Sequence, residues 1–422
     1  MKNRYELIVV GGGFAGITAA LTAAKQGVDV LLVEKYNCLG GAASAALVNP
    51  FMPFWTRMPD TNERKYLCGD MFREIVREMG AMIGKEDHPE DQMWFDEEIL
   101  KLVLNRMSLK YGVQLLYNTV VTGAKVENGK IVSISAMGKS APLTLYADHF
   151  IDATGDAELS MLAGCKYQLG RESDNLCQPM TLCFRMGGVD KQKWLKNKKK
   201  IDPTYAEFKK KGLIKNPRED VLLFNNYNDG VLHFNTTRIV KLDPTEPFDI
   251  TQAEIEAREQ VFEIHKFFKE NIEGFENARV LSTALQIGIR ESRMVEGEYT
   301  LTAEDLKSLA RFEDAIAVAN YDIDIHNPEG SGTSHYFFGN GEWYEIPYRC
   351  LLPKHMNNLL VAGRCISSTH EAQASYRIMP FCAELGQAAG TAVAVAVQDN
   401  KNVRNVDVKK VQNILREEGF LI

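Results

Sequence analysis

The chain has 422 residues, 45% hydrophobic and 25% charged, with a formal net charge of -7. That length exceeds one ordinary core, so two domains or one domain with a large insertion is expected, in a composition typical of soluble globular proteins. The acidic balance argues against general nucleic-acid binding, and eight scattered cysteines with no Cys-x-x-Cys pair argue against a disulfide framework or an iron–sulfur site. A reducing cytoplasm is the expected compartment. No charged lead with a long apolar segment and cleavage site precedes residues 7–10, so no signal peptide is expected.

The opening segment is a continuous apolar run, residues 5–10, that ends on Gly11. Gly11-x-Gly13-x-x-Gly16 follows, then an alanine-rich helical stretch to Gln26 that Gly27 stops. A second buried strand is predicted over 28–33, closing on Glu34. Each piece has a mechanical reason. Gly11 permits a tight turn, Gly13 lets a pyrophosphate reach the backbone, and Gly16 lets helix and strand pack closely. The N–H groups around Phe14 and Ala15, with the helix dipole, favour phosphate charge. Glu34 stands where a carboxylate accepts hydrogen bonds from ribose hydroxyls. The strand–glycine–helix context therefore predicts a dinucleotide site.

Which dinucleotide is decided further along. Glu34-Lys35 is followed by the pair Gly40-Gly41 and then Ala42. This resembles the flavoprotein pattern in which paired glycines let the chain run close to an extended FAD. A helix is predicted over 95–110 and a strand over 113–117. A hairpin turn is expected at Glu127-Asn-Gly-Lys130, where Asn-Gly suits a two-residue loop. A return strand over 145–151 leads into Asp152-Ala153-Thr154-Gly155-Asp156, which resembles the Ala-Thr-Gly turn of flavoproteins.

The middle of the chain, 165–353, has no second GxGxxG, which argues against a separate NAD(P)H domain. Strands are expected over 180–186 and 231–239. Thr251-Gln-Ala-Glu254 reads as a capping box opening a helix. The stripe Ile255, Phe262, Phe268 and Ile272 reads as its packing face. The lysine-rich segment 191–200 reads as a solvated surface, and Cys38, with no redox partner at motif spacing, as a packed thiol. A late strand over 358–363 ends on Gly363-Arg364, and a small-residue helix follows from Pro380 to Val397. Its apolar run, 388–397, is too short for a bilayer span. The positive end of that helix is expected to face the flavin. A final helical stripe, Val408, Val411 and Leu415, packs on its own domain or on a partner.

Together these features resemble the FAD-dependent oxidoreductases related to the fumarate reductase and succinate dehydrogenase flavoproteins, and more closely an often uncharacterised bacterial branch. The resemblance covers nearly the whole chain. It rests on Gly11 to Gly16, Glu34 to Gly41 and Ala153 to Asp156, which many flavoproteins share. More specific to the branch are Gly288-Ile-Arg-Glu-Ser-Arg293, the segments 321–328 and 346–353, and Gly363-Arg-Cys-Ile-Ser-Ser-Thr-His-Glu-Ala372 running on to Arg377-Ile-Met-Pro380. It implies an α/β architecture, a Rossmann-like FAD domain of the glutathione-reductase type (1–164 and 354–400) with an inserted α+β substrate domain (165–353) and a C-terminal helix (401–422). It also implies cofactor contacts at Val120, Ile378 and Met379. Many relatives carry an acid after the glycine of the late strand. Here Arg364 stands there, with the pyrophosphate as its expected partner. No counterpart of the histidine that attaches FAD covalently in some relatives is seen, so the cofactor is expected to be non-covalent.

The polar residues available for chemistry are Arg290, Arg293, His326, His335, Arg349, Arg364, His370 and Arg377. Arginine grips a carboxylate with two parallel bonds, and histidine exchanges protons near neutral pH. His370, just after the late strand, is the expected acid or base, with Arg290 and Arg293 as anion holders. Structural ion pairing of Arg290 and Arg293, a turn at His326 and a loop-orienting role for His370 are the competing readings. The expected activity is hydride transfer between FAD and a small organic substrate, with a carboxylate as the candidate handle. The expected partners are that substrate and an unidentified electron donor or acceptor. Neither nucleic acid nor a membrane span is expected, and a homo-oligomer is compatible. The alternatives are flavin-dependent tRNA modification and an FAD-carrying subunit of an electron-transfer complex.

Overall fold

The computed structural model describes residues 2–84 and 94–422. The opening strand Arg4–Val10 is hydrophobic on both faces and lies inside a sheet, as continuous apolar runs do in parallel α/β cores. It pairs in parallel with Val30–Val33 on one side and with Pro142–Asp152 on the other. Gln114–Leu116 extends the sheet beyond Val30–Val33, and Leu359–Val361 extends it beyond Pro142–Asp152, both in parallel. The long strand Pro142–Asp152 does double duty. Its second half belongs to this parallel layer, while its first half pairs antiparallel with Lys130–Met137, which in turn pairs with Val120–Glu127. The expected hairpin is present: Asn128 (φ 51°) and Gly129 (φ 72°) occupy the left-handed region that this turn demands.

Helix Phe14–Lys25 lies against the late helix Met379–Gln398. The approach depends on missing side chains. A Cβ on Gly386 would stand 2.0 Å from the Ala15 carbonyl oxygen, and one on Gly390 would stand 2.4 Å from that of Ala19. The late helix has 20 residues, so the shorter apolar run read from sequence understates it. By length and composition it is apolar enough to cross a bilayer, yet it is buried within the protein. Helix Glu97–Tyr111, capped by the Asp96 carboxylate, completes this layer.

The second core is separate. The four-stranded antiparallel sheet runs Leu223–Asn225, Leu232–Phe234, Phe184–Gly187, Arg279–Thr283. Helix Pro247–Asn271 packs its buried residues Ala257, Val261, Ile264 and Phe268 into this core. Two expectations fail here. Thr251 does not cap the helix: the helix starts at Pro247, and the Thr251 hydroxyl donates to the Pro247 carbonyl at 2.7 Å. Ile255 and Phe262 are 63% and 58% exposed, so the stripe containing them is not the packing face, although Phe268 and Ile272 are buried. The lysine-rich segment opens a helix, Lys191–Lys210, that buries Trp194 among exposed lysines.

Packing also redraws the expected insertion. The second core draws on residues 180–287 with Leu47, whereas Val295, Leu301, Ile316, Tyr344 and Leu351 join the core of the dinucleotide layer. The C-terminal helix Val408–Glu417 belongs there too. It buries Val411 and Leu415, and the Gln412 side chain donates to the carbonyls of Glu313 and Ala315.

Candidate functional site

At the carboxyl ends of the parallel strands lies a cleft of about 1060 Å³, where ligands bind in open α/β sheets. Every residue expected to hold the cofactor lines it except Gly16 and Ile378. Gly16 has a packing role: a Cβ there would stand 1.8 Å from the Gly11 carbonyl oxygen. Ile378 lies on the neighbouring cavity.

The cleft is built for a phosphate. Gly13 is the N-cap of Phe14–Lys25, and no side chain caps that end. The N–H groups of the first turn have no acceptor inside the helix and so remain for an anion. Gly41 (φ 52°) passes so near that a Cβ on it would be 2.7 Å from the Gly13 Cα, which keeps the paired-glycine segment against the phosphate loop. Glu34 is pinned over the loop. Its two oxygens accept from the Gly12 N–H at 2.6 Å and the Tyr36 N–H at 2.8 Å. Burial pushes its carboxyl upward, against the pull of these N–H groups. Lys35 pairs with Glu158 at 2.9 Å on the rim.

Across the cleft, the Asp152 carboxylate holds the next turn from within, accepting from the Thr154 N–H and hydroxyl and from the Ser160 N–H and hydroxyl. Asp156 accepts from Arg364 and from the Ser292 hydroxyl, each at 2.6 Å. Arg364 therefore has a carboxylate partner inside the protein, where sequence pointed to the pyrophosphate. Burial opposes the Asp156 charge, but Arg364 and Lys35 hold its carboxyl below the usual range. The N-terminus of the late helix closes the cleft at Met379.

A second cavity of about 1660 Å³ adjoins the first. Ala42, Ile289, Arg364, Arg377 and Met379 line both, so the two spaces meet there. Its lining includes the apolar Val48, Met52, Leu222 and Phe224 beside the charged Arg218, Glu219 and Asp220. It also carries Arg290, Tyr321, Asp324, His326 and His335. The Arg290 guanidinium donates to the Pro179 carbonyl (2.7 Å), the Thr181 hydroxyl (2.5 Å) and the Asn235 amide oxygen (3.2 Å). All three acceptors are uncharged. Burial, with Arg377 and Arg218 nearby, lowers its pKa to about 9.

The strand Ile323–His326 and its partner Thr333–Tyr336 bring the remaining polar groups together. His326 ends a strand and is not merely part of a turn. Its Nδ1 faces Arg238 at 3.1 Å, and its Nε2 faces Asp324 at 3.3 Å. Burial and the Arg290 charge lower its pKa to about 3, so the ring is neutral. Asp324 is held ionised well below the carboxylate range, where His326, Arg377 and Arg290 overcome its burial.

The other two expected catalytic residues are placed elsewhere. His370 is buried at the start of the helix His370–Tyr376, with Nδ1 2.7 Å from Glu291, and lines neither cavity. Arg293 also lines neither. It donates to the Asp156 carbonyl at 3.2 Å and lies over the Tyr167 ring. Arg349 pairs with Asp314 away from both. Sequence reasoning did not single out Tyr36, Glu158, Tyr321 or Asp324. Tyr321 and Asp324 had a signal, since both lie in the segment 321–328 on which the resemblance rests.

The whole fold and the glycine cradle agree with one family. A family model described as FAD dependent oxidoreductase matches residues 6–415. The chain belongs to that family. Its cofactor is FAD, and it is an FAD-dependent oxidoreductase with a Rossmann-type fold. A digeranylgeranylglycerophospholipid reductase of Methanocella arvoryzae is 29% identical over 189 residues, covering 42% of this chain and 46% of that protein. A carotenoid 3,4-desaturase of Haloarcula japonica is 46% identical over 63 residues, 14% of this chain and 13% of its own. The match thus spans less than half the length of these relatives, both archaeal. Among solved structures, a geranylgeranyl bacteriochlorophyll reductase-like protein of Thermoplasma acidophilum superimposes over 98% of this chain and 84% of its own, with 14% identity and a TM-score of 0.48.

Proposed function

We propose that this FAD-dependent oxidoreductase acts on a small organic anion bound in the second cavity. One observation carries the reading. Among the described residues Arg290 donates only to uncharged acceptors, with Asp324 its nearby acid but not a hydrogen-bond partner, and it lines a cavity that opens onto the cofactor cleft. A buried guanidinium hydrogen-bonded only to neutral groups is costly, and an incoming carboxylate or phosphate relieves that cost. FAD, when bound, supplies hydride transfer; the protein supplies position and charge. Gly11 to Ala15 and Gly40 to Ala42 would hold the dinucleotide without a covalent bond, and the late helix would offer its positive end. Arg290 fixes the anion, Arg377 adds charge at the junction, and the apolar part of the lining excludes water from the remainder of the substrate. Neither His370 nor Arg293 enters this scheme. Location in the cytoplasm, exchange with a separate electron donor or acceptor, and kinship with the fumarate reductase flavoproteins belong to the same proposal, the last supported by the Ala153-Thr-Gly-Asp156 turn.

The apolar part of that lining favours a second reading, in which the anion is the head of an isoprenoid lipid. The named activity of the Methanocella arvoryzae relative points the same way. One experiment covers both. The FAD-loaded protein is titrated with acetate, succinate, inorganic phosphate and geranylgeranyl phosphate while the flavin spectrum is recorded. A perturbation by small anions that Arg290→Gln abolishes, with flavin content intact, supports the first reading. A response to geranylgeranyl phosphate alone supports the second, and responses unchanged in Arg290→Gln remove Arg290 from recognition.

A further inference from the structure

At the edge of the second cavity lies a cluster that substrate binding by Arg290 does not use. Asp322, Asp324 and His335 each bring a ligand atom to within 4.8 Å of the others, the last two lining the cavity. Their convergence follows from the local fold. Asp324 and His335 are direct cross-strand partners in the hairpin of Ile323–His326 with Thr333–Tyr336, and Asp322 is the residue before the first strand. The His335 ring stacks on Phe337, with centroids 5.2 Å apart and planes within 5°, which fixes its direction.

The atoms of Asp324 divide the work between them. Its Oδ2 faces His326 at 3.3 Å and Arg377 at 3.4 Å. Its Oδ1 is buried in a side chain that is only 10% exposed and has no hydrogen-bond partner among the described residues. That orphan oxygen points into the cluster, 3.8 Å from His335 Nδ1. The same Nδ1 lies 2.5 Å from Asp322 Oδ2. A buried ionised oxygen without a donor is rare in a native protein and needs a partner. A metal ion's bonds to oxygen and nitrogen of about 2.0–2.2 Å place adjacent donors roughly 3 Å apart. The observed separations of 2.5 and 3.8 Å bracket that spacing.

We infer that Asp322, Asp324 and His335 form a binding site for one divalent cation of the kind that accepts mixed oxygen and nitrogen donors, such as Mn²⁺, Fe²⁺ or Zn²⁺. Asp324 and His335 both line the cavity, so the remaining coordination positions open toward the space that Arg290 faces. They would take water or an oxygen of the bound anion. Arg377 and Arg290 oppose the cation with their own charge, so the two acids must outweigh them for the metal to bind. This inference stands apart from the nature of the substrate, since none of its three ligands is used to hold the anion.

The test uses the metal alone. The FAD-loaded protein is stripped with a chelator and titrated with Mn²⁺, a probe that thiols bind poorly, while the resonance of the free ion is followed. The expected result is one equivalent bound per chain, weakened at least ~10-fold in His335→Gln and in Asp324→Asn. Flavin content and melting temperature are recorded for both variants. His335 is the more exposed ligand, so His335→Gln is decisive if Asp324→Asn fails to fold. Absence of Mn²⁺ binding by the parent protein, or the same binding in a folded His335→Gln, overturns the site.

Discussion

Arg364 Nη2 lies 2.6 Å from Asp156 Oδ1, so a guanidinium on the late strand's exit loop neutralises the acid of the Ala-Thr-Gly-Asp turn. Ser292 joins them, donating to Asp156 and accepting from Arg364 at 2.9 Å. Three segments far apart in sequence are thereby fixed around one charge at the edge of the cofactor cleft. Arg364→Ala leaves the largely buried Asp156 with only the Ser292 hydroxyl and the more distant Lys35 charge, and breaking such a pair costs up to about 3–5 kcal/mol. Flavin content after gel filtration and the thermal midpoint should both fall. Unchanged values for both would show that the pair is dispensable.

His370→Ala should behave as a structural lesion. Glu291 is fully buried and binds both His370 Nδ1 and the Gln178 N–H, so removing the imidazole strands a carboxylate. A loss on the order of 3–5 kcal/mol in denaturant unfolding is expected, with flavin reduction by dithionite unaffected in the folded fraction. A folded, fully stable His370→Ala contradicts this placement.

Gly386→Ala should separate the two central helices. Its Cβ would meet the Ala15 carbonyl at 2.0 Å, which is backbone and cannot swing aside. Overpacking of this kind costs about 1–3 kcal/mol, and the phosphate loop carried by Phe14–Lys25 should shift with its helix. Urea midpoints and FAD affinity report the two effects separately. A neighbouring change such as Ala392→Gly, which adds no atoms, is the control.

Acid should destabilise the protein well above the carboxylate range. Burial lowers the pKa of both His233 and His326 to about 3, from an ordinary 6.5. Between those values the unfolded chain binds more protons than the folded one, so stability is fully present above about pH 6.5 and falls as pH drops toward 3. His233 has no hydrogen-bond partner on either ring nitrogen, so His233→Gln or His233→Phe should flatten the slope between pH 4 and 6. A melting temperature independent of pH over that interval, before any substitution, would contradict the neutral buried rings.

The parts legible in the sequence were those written in backbone terms. Glycine spacing at Gly11, Gly13 and Gly16, the Asn128-Gly129 turn and the Ala153-Thr-Gly-Asp156 turn all constrain the chain locally, so spacing alone located them. Helix Pro247–Asn271 was misread for a physical reason. Thr251 and Glu254 have capping-box spacing, but Glu254 accepts from the distant Ile287 N–H, a contact that no local pattern carries. Its true packing face runs Ala253, Ala257, Val261, Ile264 and Phe268, and the alanines of its first turns carry no large apolar side chain to mark it. His370 lines neither cavity; closeness in sequence to the flavin strand says nothing of where a side chain points. Asp324 and His335 came together only through a strand pairing.

The packing of Phe14–Lys25 on Met379–Gln398 has a consequence for how the protein is made. Ala15 and Ala19 emerge from the ribosome long before Gly386 and Gly390, against which they close. At roughly 5–20 residues per second, the first helix waits on the order of 20–70 s for its partner. The phosphate loop is thus translated well before the helix that completes it. A nascent chain should be unable to retain FAD until the late helix has cleared the exit tunnel.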